Sequence, residues 1–192
     1  MSSNGISRLS IPAEDEVDDR LKPMFDFDRK QHGGKVDNWL RAVSLSPATL
    51  LRASNFLGPM FDPQVGELSL AERELIAVIV SIENGCAYCE AHHLQNLAKA
   101  MGDPRRAQRF ALNYRYVNDI TEREKVLADM AVKLSRDARE FCDEDIERMR
   151  AAGLSDRGIL EALEIASAFN YSTKLTIALH VYPQDGLFDL EG

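Results

Sequence analysis

Residues 69–93 read SLAERELIAVIVSIENGCAYCEAHH, and this stretch predicts a helical hairpin. Ser69 and Glu72 match a capping box, the pattern that opens a helix. Apolar residues then recur at helical spacing until Asn84-Gly85, a pair that is typical of a helix end. A second helix is predicted from about residue 86 to residue 101. Because the break between the two helices is short, we expect them to pack as antiparallel neighbours.

The rest of the chain is also predicted to be helical, because apolar residues recur at helical spacing and no run alternates as a half-buried strand does. We therefore expect an all-α fold in one domain, 1–192, with a core over about 41–182 and an N-terminal extension over 1–40. Residues 1–13 are expected to form a loose tail. Further helices are predicted over residues 14–30, 47–58, 69–83, 121–138, 143–152, 155–169 and 171–181, and from residue 104 onward.

A weak internal repeat accompanies these helices. An offset of 86 residues pairs Leu68-Ser69 with Leu154-Ser155, and Asn84 with Asn170. This pairing favours a duplicated helical hairpin, in which the second copy lacks the cysteines of the first. The alternative is that two amphipathic hairpins resemble each other through composition alone.

The composition restricts the partners and the location of the protein. A formal net charge of −8 argues against nucleic acid and acidic membranes, since both attract basic surfaces. The N-terminus has no apolar stretch of signal-peptide length, and the longest apolar run, residues 75–80, is far too short to span a bilayer. We therefore expect a cytoplasmic protein. In that reducing compartment a Cys-x-x-Cys pair is more often catalytic or metal-binding than structural.

Two of the three cysteines, Cys86 and Cys89, lie in the hairpin and have the chemistry for a redox reaction. A thiolate is the reactive form of cysteine, and the free N–H groups and the dipole of a first helical turn lower a thiol pKa. His93 follows Cys89 by one helical turn, on the same face. In an antiparallel hairpin Glu74 lies level with His93, about 15 Å from the turn. The order Cys89, His93, Glu74 is that of a nucleophile, a base and a residue that orients the base.

Several of these residues also have a plainer interpretation. Glu74, beside Arg73, is compatible with an exposed helix carboxylate, and His93 is compatible with an ordinary surface histidine. Cys142 stands alone in the sequence and is expected to be a semi-buried small residue without a role. Three further residues are candidates for a supporting role around the site: Tyr88, His92 and Asn84.

At the hairpin the sequence resembles the alkylhydroperoxidase D-like family within the wider carboxymuconolactone decarboxylase superfamily, in its branch of peroxidase-related proteins. The pattern that carries the resemblance is Glu74, eleven residues, Cys86-Ala-Tyr-Cys89, three residues and His93. The likeness includes the surrounding SLAERELIAVIVSIENGCAYC and the later LSDRGILEALEIASAFNYSTKL, and it extends over about residues 40–182.

The resemblance implies an AhpD-like helical fold, a homo-oligomer and the reduction of hydroperoxides by a cysteine pair that cycles between dithiol and disulfide. A cellular dithiol would recharge the pair, and no cofactor or metal is expected. By position in the motif, Cys89 would be the peroxidatic thiol and Cys86 the resolving thiol. His93 and Glu74 would form the proton relay.

The chain departs from the family pattern at one position. The best-known members carry a histidine directly before the second cysteine, whereas this chain has Tyr88. Tyrosine has an ordinary pKa near 10 and is a poor base at neutral pH. A shorter proton relay is therefore expected here.

Three other functions stay open on the sequence. The first is a zinc-binding module, although no second ligand pair with tight spacing is visible. Its ligands would be Cys86, Cys89 and His93 or His92, with Glu74, Cys142 or His180 as the fourth. The second is a carboxymuconolactone decarboxylase-like enzyme, a chemistry that needs acid–base groups but no dithiol. The third is a redox switch, in which the disulfide changes assembly without turning over a substrate.

Overall fold

The structure, a computed structural model, describes residues 5–62 and 64–188, and the regular elements among them are all helical. No strand forms in those two ranges, so the predicted all-α fold is confirmed. No helix in the described part of the chain is long and apolar enough to cross a membrane. The helices are α1 (Lys22–Gln31), α2 (Asn38–Val43), α3 (Pro47–Leu57), α4 (Leu70–Asn84), α5 (Ala87–Met101), α6 (Pro104–Asn113), α7 (Glu122–Asp137), α8 (Asp143–Ala151) and α9 (Asp156–Leu179).

The hairpin formed by α4 and α5 follows the local signals in its sequence. Both hydrogen bonds of the predicted capping box are present at the start of α4, between Ser69 and Glu72. The helix ends at Gly85, whose φ of 71° lies in the left-handed region and lets its N–H bond back to the carbonyl of Ile82. Cys86 then caps α5. The predicted hairpin is therefore confirmed, including the position of its turn.

Helix α4 is the centre of the main core. All residues from 73 to 81 are buried, and the helix packs against α5, α7 and α9. A helix that is apolar on nearly every side has to be surrounded by others, which explains why Leu75, Ile76 and Val78 have no exposed surface. The residues that α4 and α5 carry are therefore held by the most closely packed part of the fold.

The duplicated hairpin is absent, because α9 is one uninterrupted helix where two were predicted. Asn170 lies inside it and donates to the carbonyl of Ala166 and to the hydroxyl of Ser135, so its polar side chain is satisfied without a turn. The helix ends only at His180, which has a left-handed φ of 53°. The offset still has a physical counterpart, since Asn84 donates to Asn170 at 2.9 Å across the contact between α4 and α9.

The N-terminal part of the chain differs most from its prediction. Helix α1 begins at Lys22 rather than at residue 14, after a short 3₁₀ turn that Asp18 caps, and α2 was not predicted. Residues 5–13 are not loose. The backbone N–H of Arg8 donates to the carbonyl of Leu179 at 2.8 Å, and Ile11 is buried. The rest of the predicted tail, residues 1–4, lies outside the described residues.

A separate apolar cluster joins this N-terminal part to the hairpin. Its buried members are Val17, Leu21, Phe25, Val36, Val43 and Leu50. Trp39 and Leu179 pack against this cluster and also against a second one that contains both cysteines of the hairpin. The N-terminal segment is therefore attached directly over the start of α5.

Replacing Gly85 by alanine is expected to lower the free energy of unfolding by about 1 kcal/mol, because a left-handed conformation strains a residue that has a Cβ. No atom lies within 4 Å of a Cβ added at this position, so the cost comes from the backbone alone. Gly85→Asn should lose less, since asparagine tolerates this conformation. Urea denaturation of the three proteins measures the difference, and an alanine variant as stable as the wild type would contradict it.

Candidate active site

The cysteine pair lies at the start of α5. Cys86 and Cys89 form a disulfide with their Cα atoms 5.3 Å apart, and both are buried. The Sγ atom of Cys86 accepts a hydrogen bond from the backbone N–H of Cys89 at 3.4 Å. When the pair is reduced, the free N–H groups of this first turn favour a thiolate over a thiol. The predicted placement of both cysteines in the first turn is confirmed.

Glu74 and His93 meet across the hairpin. The Oε2 atom of Glu74 lies 2.7 Å from Nδ1 of His93, and Glu74 is only 4% exposed. The interpretation of Glu74 as an exposed carboxylate is therefore wrong, and the predicted approach of the two side chains is confirmed. An ionised carboxylate can only accept a hydrogen bond, so Nδ1 carries the proton and Nε2 is left as the basic nitrogen.

The imidazole of His93 is fixed by rings on three sides. Phe61 stacks on it with centroids 5.7 Å apart, and Phe169 packs edge-on at 4.6 Å. The ring of His92 meets it edge-on at 5.0 Å. Since Glu74 fixes one edge of the ring and aromatic groups fix its faces, the direction of Nε2 is set by the fold.

Arg73, the neighbour of Glu74, holds the segment that carries Phe61. Its guanidinium donates to the backbone carbonyls of Leu68, Met60, Asp62 and Val65. It also pairs with Glu161 of α9 at 2.5 Å, and the side chain of Arg73 is only 2% exposed. Arg73 therefore links four backbone carbonyls and one carboxylate in the interior of the fold. The sequence did not predict this role.

Tyr88 has a polar partner that the sequence did not predict, namely the buried carboxylate of Asp37. The hydroxyl of Tyr88 donates to Oδ1 of Asp37, which also accepts from the backbone N–H of Trp39 at 2.8 Å. Its Oδ2 accepts from Gln184 at 3.0 Å. Burial, and then the neighbouring Asp37 carboxylate, raise the pKa of Tyr88 well above its ordinary value. Tyr88 is therefore a neutral hydrogen-bond donor, and it cannot act as the base that the family histidine would supply.

Tyr88→Phe is expected to lower the free energy of unfolding by about 1.5–3 kcal/mol, the range for a hydrogen bond to a charged group. The rate of hydroperoxide turnover, the activity that the family resemblance implies, should be nearly unchanged, because the hydroxyl bonds to Asp37 and not to the cysteines. Chemical denaturation combined with an activity assay tests both parts. A large loss of activity with unchanged stability would instead place Tyr88 in the proton relay.

His92 lies beside this carboxylate without bonding to it. Its Nδ1 atom is buried, has no hydrogen-bond partner, and lies 3.8 Å from Oδ2 of Asp37. Burial and the neighbouring His93 lower the pKa of His92 to about 4. At neutral pH the ring is therefore uncharged, and it supports the site by packing between Tyr88 and His93.

The lowered pKa of His92 predicts a pH dependence of stability. Because the folded-state pKa is below the unfolded value of about 6.5, this residue contributes stability above pH 6.5, which is lost as the pH falls from about 6.5 towards 4. His92→Gln should remove this part of the acid destabilisation, at most on the order of 3 kcal/mol. Unfolding measured at several pH values in both proteins gives the difference, and parallel curves between pH 6.5 and 4 would contradict the prediction.

A cavity of about 600 Å³ adjoins these residues. Cys89 lines it and Cys86 does not, so the second cysteine is the one that a bound molecule reaches. His93, His92 and Tyr88 line the same cavity, together with Phe61 and Phe169. A thiol, an oriented base and space for a ligand therefore come together at one place.

The remaining candidate residues lie outside this site. Asn84 donates to Asn170 and to Thr173 at 3.0 Å, and so links α4 to α9 rather than lining the cavity. Cys142 is exposed at the start of α8, not semi-buried as expected. Hydrogen bonds that its thiol donates to the carboxylates of Glu144 and Asp145 raise the pKa of Cys142, so it is not an activated nucleophile.

The structure does not support the zinc hypothesis. In residues 5–62 and 64–188 no group of three or more His, Cys, Asp and Glu side chains is arranged to hold a metal ion. Cys86 and Cys89 bond to each other. His180, one of the proposed fourth ligands, ends α9 and packs edge-on against Tyr182.

Comparison with known proteins shows which family and which solved structures the chain is similar to. The sequence model of the carboxymuconolactone decarboxylase family matches residues 47–113. A peroxidase-related protein from Silicibacter sp. TM1040 is 28% identical, with a TM-score of 0.88 over 96% of this chain and 95% of that one. An alkylhydroperoxidase AhpD core, a peroxidase-related protein from Ralstonia eutropha JMP134, is 25% identical, with a TM-score of 0.89 over 95% of both chains.

A more distant structure shares the fold alone. The debrominase Bmp8 bound to 2,3,4-tribromopyrrole is 15% identical, with a TM-score of 0.79 over 97% of this chain and 96% of that one. No curated protein sequence matches the chain. The likeness therefore extends over nearly the whole chain in structure, whereas the family's sequence model covers the region of the hairpin and its flanking helices.

Proposed function

The chain belongs to the alkylhydroperoxidase D-like group of the carboxymuconolactone decarboxylase superfamily, and on this premise we propose that it is a thiol-dependent hydroperoxide reductase. One observation carries the proposal: Cys89, from a pair that forms a disulfide, borders the same cavity as His93, whose Nδ1 is bonded to Glu74. A nucleophile that has a redox partner and an oriented base is what peroxide reduction needs. The superfamily's decarboxylase chemistry has no use for the dithiol.

In the first step the Cys89 thiol gives its proton to Nε2 of His93. The thiolate then attacks the terminal oxygen of the hydroperoxide, so that an S–O bond forms while the O–O bond breaks. Sulfur is oxidised to a sulfenic acid, and the peroxide is reduced to an alkoxide. The alkoxide takes the proton back from His93 and leaves as the alcohol.

In the second step Cys86 resolves the sulfenic acid. Its sulfur attacks the sulfur of Cys89, so that a disulfide forms while the S–O bond breaks, and the hydroxyl leaves as water with the proton of the Cys86 thiol. The Cα separation of 5.3 Å lies within the range that disulfides require. A cellular dithiol then reduces the disulfide by thiol–disulfide exchange and becomes a disulfide itself.

Glu74 acts through His93 and not on the substrate. Its carboxylate keeps the proton on Nδ1, so that Nε2 is free to accept one, and it stabilises the imidazolium that exists between the two proton transfers. Both groups are positioned on the α4–α5 hairpin, the closely packed centre of the fold. We propose further that the protein works in the cytoplasm as a homo-oligomer, without a cofactor and without a nucleic-acid or membrane partner.

The consumption of tert-butyl hydroperoxide in the presence of excess dithiothreitol tests this function. We expect catalytic consumption by the wild type and only background consumption by Cys89→Ser. Cys142→Ser is the matched control, since it removes an exposed thiol far from the pair in sequence, and it should behave like the wild type. Equal consumption by the wild type and by Cys89→Ser would overturn the proposal.

A redox switch is the alternative that uses the same disulfide. It predicts that oxidation changes the oligomer size, whereas an enzyme returns to the same assembly after each turnover. Mass measurement of the oxidised and the reduced protein in solution separates the two, provided that peroxide consumption is measured on the same samples.

A further inference from the structure

Helix α6 carries an exposed stripe of side chains on the face that points away from the core. Spacings of four and three residues place Arg105, Arg109 and Leu112 on one face of the helix. Tyr116 follows in a short 3₁₀ turn, Tyr114–Tyr116. Leu112 and Tyr116 are 86% and 80% exposed, the highest values among the large hydrophobic side chains in the described part of the chain. We call these four residues the α6 stripe.

The two arginines of the α6 stripe are not used by the fold. Arg105 and Arg109 are exposed, and neither forms a hydrogen bond or an ion pair with another described residue. By contrast, the neighbouring Arg106 is bonded to Asp119 and Glu124. Arginine and tyrosine are enriched at interfaces between proteins, and exposed apolar side chains beside them mark a contact surface. The stripe therefore has the composition of an interface.

A groove between α3, the segment before α4 and α9 has a matching composition. Its apolar part includes Phe56, Val65 and Leu160, which are between 47% and 68% exposed, and its volume is about 460 Å³. Arg157 and Glu164 also line it, one on either side of Leu160 along α9. Both are exposed, and neither has an ion-pair partner in residues 5–62 and 64–188. We call this surface the α9 groove.

The α6 stripe and the α9 groove match in an antiparallel register. In residues 109–116 and in residues 157–164 a charged residue, a leucine and a third anchor are spaced by three and four residues. Seven residues of helix rise about 10 Å, so three contacts fall at the same intervals. The pairs are Arg109 with Glu164, Leu112 with Leu160, and Tyr116 with Arg157. They would form an ion pair, an apolar contact and a cation–π contact.

The stripe does not fill the groove of its own chain. Helix α6 packs on α5 and α4, whereas the groove is lined by α3 and α9, and the high exposure of Leu112 shows that its side chain is uncovered. Copies of a chain with a net charge of −8 repel each other on average. A contact between copies is therefore favoured where an unpaired arginine meets an unpaired carboxylate.

We propose that the α6 stripe of one copy packs into the α9 groove of a second copy. The contact is heterologous, because two different surfaces meet, and it builds a closed assembly when the rotation between copies closes. This inference rests on the homo-oligomer in the proposed function and names the surfaces that form it. It does not depend on the peroxide chemistry.

Reversal of one charge tests the register. Arg109→Glu and Glu164→Arg should each weaken association at least about tenfold, because two like charges replace an ion pair. Sedimentation velocity at a series of protein concentrations measures the change. Arg139→Glu is the matched control, since it alters the net charge as much as Arg109→Glu does, at a side chain that is 89% exposed and belongs to neither surface. It should assemble like the wild type.

A mixture of the two charge variants gives the most specific result. In the mixture every contact between unlike chains joins either the native pair or the same pair reversed, so assembly should return although neither variant assembles alone. A chain that carries both substitutions should assemble too. Recovery on mixing also shows that both variants are folded. A mixture that stays dissociated would overturn the pairing of Arg109 with Glu164.

The apolar contact is tested by Leu112→Ala, which should weaken association about tenfold through the loss of buried apolar surface. Leu45→Ala is the matched control, because Leu45 is 48% exposed and lies outside the stripe and the groove. Equal association of these two variants would contradict the proposed contact.

Peroxide consumption by the same samples separates this inference from the proposed activity. A wild type that is monomeric at every concentration would overturn the interface and the homo-oligomer, whatever its activity. If the wild type assembles and Arg109→Glu assembles equally well, the surfaces are wrong and the homo-oligomer stands. A wild type that assembles through these surfaces without consuming peroxide would refute the activity and leave the interface in place.

Discussion

Glu74→Gln is expected to lower hydroperoxide turnover by about 10²–10³-fold, within the range that a positioned acid–base group contributes. The reason is electrostatic and geometric. Glu74 keeps the proton on Nδ1 of His93 through a 2.7 Å contact, whereas a glutamine amide can present its NH₂ group to Nδ1 and so reverse the tautomer. The substitution also removes the negative charge that stabilises the imidazolium of His93. Steady-state peroxide assays of the purified variants measure this loss.

Two comparisons make this result specific. Glu83→Gln is the matched control, because Glu83 is a carboxylate on the same helix that pairs with Arg136 and does not line the cavity; its turnover should be that of the wild type. In a His93→Gln background the further change Glu74→Gln should cost almost nothing, since the carboxylate acts only through the imidazole. If the two substitutions instead lower turnover by independent factors, Glu74 contributes by a route other than His93.

Arg73→Met is expected to lower the free energy of unfolding by about 3–5 kcal/mol, the cost of leaving a buried charge without its partner. Glu161 would lose its cation, and the carbonyls of Met60, Asp62, Val65 and Leu68 would lose their donors. The segment that carries Phe61 would loosen with them. Urea denaturation of the reduced proteins gives the value.

Arg123 provides the comparison, because its ion pair is more exposed to solvent than that of Arg73. Arg123→Met removes the partner of Glu72, but the side chain of Arg123 is 26% exposed, so the expected loss is about 1 kcal/mol or less. An Arg73 variant that loses no more than the Arg123 variant would show that the buried network does not stabilise the fold. The peroxide assay adds a second readout, since a loosened Phe61 releases one face of the His93 ring.

The parts of the site that the sequence predicted depend on local signals. A capping box, an Asn-Gly stop and a cysteine N-cap act within a few residues of each other, and they determine where the α4–α5 hairpin turns. Once the turn is known, counting the helical rise places Glu74 level with His93. The hairpin and the contact across it therefore followed from sequence, while the catalytic roles of these residues remain predictions.

The parts that the sequence did not predict depend on contacts between distant segments. Asp37 and Tyr88 are 51 residues apart in sequence, and nothing near Asp37 distinguishes a buried carboxylate from the cap of a short helix. The sequence shows Arg73 only as the neighbour of Glu74, whereas its partners come from the segment before α4 and from α9. Asn170 resembled a helix stop, but it lies inside α9, where its side chain donates to the hydroxyl of Ser135 and to the carbonyl of Ala166.

The most direct test of the central claim is a single turnover in the Cys86→Ser variant, where the sulfenic acid on Cys89 has no resolving thiol. One equivalent of cumene hydroperoxide is added to the reduced protein in the presence of dimedone, and peptide mass spectrometry locates the adduct. We predict an adduct on Cys89 and one equivalent of 2-phenyl-2-propanol, the alcohol formed from cumene hydroperoxide. The reaction should be much slower when His93→Gln is added. An adduct on Cys142 alone, or alcohol formation that persists in Cys89→Ser, would contradict the claim.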